Sequence, residues 1–127
     1  MELKALSSLF RSVGDPVRLR ILHLLCGAVA LTVGELVREV GLPQSTVSRH
    51  LKSLREEGLV ADRPAGPATY YRAVLEAELG NGVTGIRDSL MTVMRETPLP
   101  SSDTRKLARV LAARGKSDTP FFDQVGI

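Results

Sequence analysis

The run TVGELVREVGLPQSTVSRHLKSLREEGLV, residues 32–60, holds two helix-patterned segments separated only by Gly41-Leu42-Pro43. No other feature of the chain restricts its fold so tightly. Thr32 followed three residues later by Glu35 fits a capping box, in which a hydroxyl and a carboxylate satisfy the free amides at a helix start. That helix reaches about Val40, and Gly-Leu-Pro then forces a tight turn. A second helix covers residues 44–57 and is stopped by Gly58. Two short helices joined by a glycine-containing turn of this length predict a helix-turn-helix.

The flanks complete a larger unit. Leu3, Leu6, Leu9, Phe10 and Val13 recur at helical spacing and predict an amphipathic first helix ending near Gly14. Asp15-Pro16 reads as an N-cap followed by proline at the first helical position. The helix it opens carries Val17, Ile21, Leu24 and Leu25 on one face. Beyond Gly58, LVADR and TYYRAV predict two strands joined through PAGPA. A fifth helix is expected over residues 83–96, with Val83, Ile86, Leu90 and Val93 as its stripe, and a more polar sixth over residues 102–113. The fold class is therefore mainly α with a small β-hairpin: a winged helix-turn-helix with an extra C-terminal helix. Residues 1–98 are expected to form that domain, and residues 99–127 a C-terminal extension, a helix and then a linker.

At about 100° per residue, Val47, Leu51 and Leu54 fall within about 60° of one another and form the core stripe of the fourth helix. Ser45, Arg49, Lys52 and Glu56 fall opposite, with Thr46 and Ser53 beside them. A rigid rod whose first turns present hydroxyls, an amide and cations suits the DNA major groove, where Arg reads guanine and Ser or Thr contacts bases or phosphates. The alternative is an ordinary solvated face. His50 lies on the shoulder of the apolar stripe, and two readings stay open for it: a half-buried histidine bonded to a neighbouring element, or a contact to phosphate or a base edge.

Charge agrees without deciding. The formal net charge is +3, and residues 44–72 hold Arg49, Lys52, Arg55, Arg63 and Arg72 against Glu56, Glu57 and Asp62. Hydrophobic residues make up 43% of the chain and aromatics 4%, so the core must be built from Leu, Val, Ile and Ala. A single cysteine, Cys26, precludes an intrachain disulfide and suits a reducing cytosol. No signal peptide is read at the N-terminus, and no apolar run approaches the ~20 residues that span a bilayer. A cytoplasmic protein is expected, with no membrane partner. There is no phosphate-binding glycine loop and no nucleophile–His–acid set, which disfavours an enzyme. A winged helix used for protein interaction remains the rival class.

DPVRLRILHLL, the helix-turn-helix run and TYYRAV together resemble the ArsR/SmtB family of bacterial winged-helix repressors, over about residues 3–96. The resemblance implies a homodimer joined through the first and fifth helices, an operator of double-stranded DNA, and a small-molecule effector that releases it. The fourth helix would read the major groove through Gln44, Ser45, Thr46, Ser48, Arg49, His50 and Lys52. The stripes of the first and fifth helices agree with a dimer interface, unless they bury each other within one chain. Departures from the family pattern matter as much. Arsenic- and cadmium-sensing members carry Cys-x-Cys where this chain has Thr32 and Gly34, and zinc-sensing members use Asp, His and Glu on the fifth helix, where only Asp88 and Glu96 occur here. Neither metal site can be assembled, so no cofactor is expected and the effector should not be a metal. His23 and Cys26, three apart, could share a ligand; a structural cysteine beside a core histidine is the other account. The wing turn holds Pro64, Ala65, Pro67 and Ala68 around Gly66, leaving Arg63 and Arg72 at its base for backbone contact.

The last residues, RGKSDTPFFDQVGI, resemble the joint of ArsR-type proteins that continue into an S-adenosylmethionine-dependent methyltransferase domain. The chain is then the DNA-binding part of such a fusion and its effector a methyl-donor metabolite; otherwise Phe121 and Phe122 dock onto the dimer.

Overall fold

A computed structural model describes residues 2–27, 30–74 and 85–114. Val83, Phe121 and Phe122, with the expectations attached to them, lie outside the described residues. The elements run α1 (Leu3–Val13), α2 (Pro16–Gly27), β1 (Leu31–Thr32), α3 (Val33–Val40), α4 (Gln44–Glu56), β2 (Val60–Ala65), β3 (Ala68–Ala73), α5 (Gly85–Glu96) and α6 (Ser101–Arg114).

Local chemistry sets most boundaries. The Asp15 carboxylate accepts the Arg18 backbone N–H at 3.0 Å and caps α2. That bond holds the Asp15 carboxyl below its usual range. At α3 the box is complete: the Thr32 hydroxyl accepts the Glu35 amide at 3.1 Å, and Glu35 accepts the Thr32 amide at 2.9 Å. Gly41 ends α3 at φ 74, a left-handed conformation that glycine adopts without steric cost.

The sheet has one strand more than the sequence pattern predicts. β1 pairs antiparallel with β3, so the order is β1-β3-β2. Two residues are too few to show an alternating pattern, and β1 exists only because Tyr70 and Tyr71 of β3 lie alongside it. The hairpin is also tighter than PAGPA implies. Pro64 and Ala65 remain paired with Thr69 and Ala68, leaving Gly66 and Pro67 as the loop. Pro64 is tolerated because β2 is an edge strand.

Apart from a small second cluster of Ala30 and Tyr70, the main core is a leucine-rich cluster around α2, whose Ile21, Leu22, Leu24 and Leu25 are buried. Val47, Leu51 and Leu54 of α4 and Met91 and Met94 of α5 join it. On α5 the inward residues are these methionines, whereas Ile86 and Val93 of the expected stripe are exposed. Among the described residues no helix is long and apolar enough to cross a membrane.

The expected boundary at 98/99 falls between α5 and α6, yet Leu107 of α6 joins the main core. α6 is held at both ends by ion pairs. Near its start Asp103 accepts Arg20 at 2.7 Å. At its end Arg114 grips both Glu35 oxygens, Nε donating at 2.8 Å to one and Nη2 to the other, while Nη2 also donates to the Ala30 carbonyl at 3.0 Å. The Arg114 guanidinium lies 5.4 Å from the Tyr70 ring centroid. Glu35 thus caps α3 and anchors α6 at once.

Arg114 and Glu35 side chains are only 8% and 6% exposed, so removing one leaves the other charge stranded out of water. Arg114→Met is expected to destabilise the chain by about 3 kcal/mol in denaturant unfolding, within the range for breaking a buried pair. Adding Glu35→Gln, which keeps an acceptor for the Thr32 amide, should recover part of the loss. A loss below about 0.5 kcal/mol, the range of an exposed pair, would contradict the clamp.

Candidate nucleic-acid interface

α4 is locked on one side and open on the other. Val47, Leu51 and Leu54 are at most 1% exposed, whereas Gln44, Ser45, Ser48, Arg49 and Lys52 are all exposed, with Thr46 and Ser53 half-buried. Its N-terminus differs from that of α3. The cap position is Pro43, which has no side-chain hydrogen bond to offer; its carbonyl accepts the Thr46 and Val47 amides at 3.1 Å. The amides of Gln44 and Ser45 belong to the first turn, where a helix supplies no acceptor, and among the described residues no side chain caps them. Uncapped amides beside outward hydroxyls form a site suited to a phosphate oxygen.

His50 does not join this face. It is buried, 6% exposed, and its Nδ1 accepts the Arg18 Nε–H at 3.2 Å. The reading as a histidine bonded to a neighbouring element fits that placement, which leaves little of the ring for phosphate or a base edge. Burial pushes the imidazole pKa down, with Arg18 and Arg49 adding to the effect against Asp15. Accepting at Nδ1 requires the lone pair there, so the ring is neutral with its proton on Nε2. Arg18 also donates from Nη1 to the Ser12 carbonyl at 3.2 Å. One guanidinium on α2 therefore spans the end of α1 and the middle of α4.

The far end of α4 is held from two sides. The Glu57 carboxylate accepts the Ser8 hydroxyl of α1 at 2.6 Å, and the Glu57 carbonyl accepts Arg87 Nε of α5 at 2.9 Å. Arg87 Nη2 lies 3.6 Å from the other Glu57 carboxylate oxygen. Arg18, Ser8, Arg87 and Glu57 escape sequence reading as positioning residues because their partners lie dozens of positions away. At the wing, Arg63 is exposed on β2. Arg72 is half-buried on β3 and donates to the Ala73 carbonyl at 3.3 Å. Arg55, near the end of α4, pairs with Asp62 of β2 at 3.1 Å, a solvent-exposed bridge that orients more than it stabilises.

The soft donors are engaged elsewhere. His23 Nε2 lies 2.6 Å from the Thr97 carbonyl, which can only accept, so Nε2 carries the proton. Burial pushes the Cys26 thiol up to about 11, which disfavours the thiolate that binds metal. Among the described residues no three His, Cys, Asp or Glu come together as a metal site.

Comparison with known proteins gives a consistent match. The family described as "Bacterial regulatory protein, arsR family" matches residues 15–62. The HTH-type transcriptional regulator YgaV of Escherichia coli is 41% identical over 71 residues, which make up 56% of this chain and 72% of that protein. An HTH-type transcriptional regulator of Methanocaldococcus jannaschii is 37% identical over 68 residues, 54% of this chain and 76% of that protein. Among solved structures, Rv0081 of M. tuberculosis superimposes with a TM-score of 0.57 at 32% identity, covering 90% of this chain and 98% of that one.

The His50–Arg18 bond carries a pH signature. A folded pKa below the ordinary 6.5 means that the unfolded chain binds the proton first as pH falls. The contribution is complete above that value and is lost as pH drops from there through the depressed folded pKa. His50→Asn places an amide oxygen near Nδ1 without titrating. The difference in thermal stability between wild type and this variant should therefore shift against wild type as the pH falls below about 6.5. A difference independent of pH would show that His50 does not titrate out of this bond.

Proposed function

The chain belongs to the arsR family of bacterial regulatory proteins, and from that premise we propose that it is a dimeric, sequence-specific repressor whose α4 reads the major groove of an operator. The observation that carries this is the division of α4. Its inner stripe is immobilised in the core, and its first turns present Gln44, Ser45, Thr46, Ser48, Arg49 and Lys52 with an uncapped helix start. Arg49 has the reach and donor fork to bind guanine bidentately; Lys52 and the first-turn amides suit flanking phosphates. Arg63 and Arg72 touch backbone at the wing. His50 acts behind the surface, setting the roll of α4 through Arg18. A protein-interaction module would need no such outward cations.

Support for the dimer comes from the exposed large hydrophobics among the described residues, Leu3, Phe10, Ile86 and Val93, which all lie on α1 or α5. Leu9, Phe10, Val13, Ile86, Leu90 and Val93 line a shared apolar cleft of about 210 Å³ between these helices, in which Phe10, Ile86 and Val93 stay exposed. Contact through a second copy would bury them, and Glu57, gripped from α1 and α5, would carry that interface to the end of α4. The effector that releases DNA is taken to be an organic molecule rather than a metal. The chain holds one cysteine and two histidines, and each histidine is already bonded within the fold.

The test is a salt-dependent titration of the purified chain against the duplex upstream of its own gene and against a scrambled duplex. Specific binding with a steep negative salt slope, to two symmetric half-sites about one helical turn apart, is expected. Arg49→Ala should cost about 1–3 kcal/mol and relax preference at one base pair, whereas Arg63→Ala should lower affinity uniformly. Equal, weak binding to both duplexes would overturn operator recognition. Phe10→Glu should convert a dimer to a monomer in analytical ultracentrifugation and abolish specific binding with it. A monomeric wild type would remove the dimer from the proposal.

A further inference from the structure

The face of α2 opposite its buried leucines is mixed: it carries Pro16 and Leu19 together with Arg20 and His23. That second face is not sealed. With Val93 and Met94 of α5, Thr97 and Pro100 of the connection, and Ser102 and Asp103 at the start of α6, it lines an open cleft of about 640 Å³. This lies within the roughly 300–1,000 Å³ typical of small-molecule sites. Its walls are apolar, and its polar groups cluster around Arg20, His23 and Asp103.

The state of Arg20 decides what such a cavity accepts. Asp103 takes its side-on edge, Nη2 donating at 2.7 Å and Nε at 3.4 Å, and the Asp103 side chain is only 6% exposed. Nη2 also reaches the Glu39 carbonyl at 3.5 Å. Arg20 itself is 39% exposed, and its Nη1 has no hydrogen-bond partner among the described residues. Asp103 thus fixes the guanidinium in place while leaving its other edge open. His23, whose Nε2 proton is engaged by Thr97, keeps Nδ1 as a further hydrogen-bonding atom. The neighbourhood is electropositive. Arg20, Lys106 and Arg109 stand against Asp103 and Glu39, and the Glu39 carboxyl is buried without a hydrogen-bond partner among the described residues. Burial, with Asp103 nearby, pushes that carboxyl up, so its charge is the one most easily given up.

We propose that this cavity binds a small organic anion, a carboxylate on an aryl or alkyl body: the body between Leu19, Val93, Met94 and Pro100, the carboxylate on the open edge of Arg20. The proposal rests on the reading that an organic effector controls DNA release, and gives that effector a site and a chemical class. Occupancy acts on α2, the helix whose Arg18 holds His50 of α4. A ligand wedged between α2, α5 and α6 therefore bears directly on the element that sets α4.

The experiment is calorimetric titration of the full chain with 4-phenylbutyrate and, as the uncharged counterpart, 4-phenylbutyramide. The acid is expected to bind once per chain and at least about tenfold more tightly than the amide, the scale of one charge-assisted hydrogen-bonded contact. Arg20→Gln should erase the preference for the acid. Because that change also strips Asp103 of its partner, Ser102→Trp is the second variant: residue 102 is exposed at the rim, so Trp fills the cavity without entering the core and should abolish binding of both compounds at an unchanged melting temperature. No binding of the acid at millimolar concentration, equal binding of acid and amide, or undiminished binding by Ser102→Trp overturns the site. Operator titration with saturating phenylbutyrate separates the two claims. Binding of the acid at Arg20 with unchanged operator affinity upholds the site and overturns its role as effector site. Operator binding by a chain that ignores the acid overturns the site and leaves the repressor standing.

Discussion

Ile21, Leu22, Leu24 and Leu25 of α2 are buried on successive turns, between α4 on one side and α5 on the other. Removing each such side chain from water contributes about 1.5–3 kcal/mol, and no other element offers so continuous an apolar surface. The remaining helices take their places by covering it: α4 with Val47, Leu51 and Leu54, α5 with Met91 and Met94. The outward direction of Ser45, Ser48, Arg49 and Lys52 follows from this burial, since a helix that turns one stripe inward must turn the opposite one out.

Burial fixes which face of a helix is covered but leaves its roll and tilt soft. Here arginines supply the missing direction. Arg18 ties α2 to His50 of α4 and to the end of α1; Arg87 of α5 grips Glu57 just past α4; Arg20 and Arg114 hold the two ends of α6. Partly desolvated pairs of this kind add little net stability, because desolvation offsets much of the attraction. Their planar, multi-donor geometry nevertheless specifies an angle that leucines cannot. A recognition surface requires that precision, because a groove contact fails when a side chain is misplaced by about an ångström.

The same arrangement explains why chemistry in this chain is concentrated at helix ends. α3 satisfies its first amides internally through Thr32 and Glu35, and Glu35 is further committed to Arg114. α4, preceded by Pro43, does not, and its free amides lie beside the exposed hydroxyls and cations. The contrast between two adjacent helices, one capped and one open, is set by the residue at the cap position, Thr32 in one and Pro43 in the other.

What the sequence determined by itself was everything that rests on interactions within about four residues. Asp15-Pro16, the Thr32–Glu35 box, Gly41 and Gly58 mark helix ends because the caps they form are local, and the 3.6-residue period of Val47, Leu51 and Leu54 assigns the inner face of α4 from spacing alone. Tertiary structure decided what depends on neighbours remote in the chain. His50 sits on the shoulder of its helix, where periodicity is indifferent, and it turned inward because Arg18, thirty-two positions away, meets it there. β1 is too short to show a pattern and exists through its pairing with β3. On α5 the evenly spaced Ile86 and Val93 stay exposed while Met91 and Met94 are buried, since α2 approaches from the methionine side. The cavity beside Arg20 likewise has walls from three helices spanning residues 16–103, and no local pattern could have announced it.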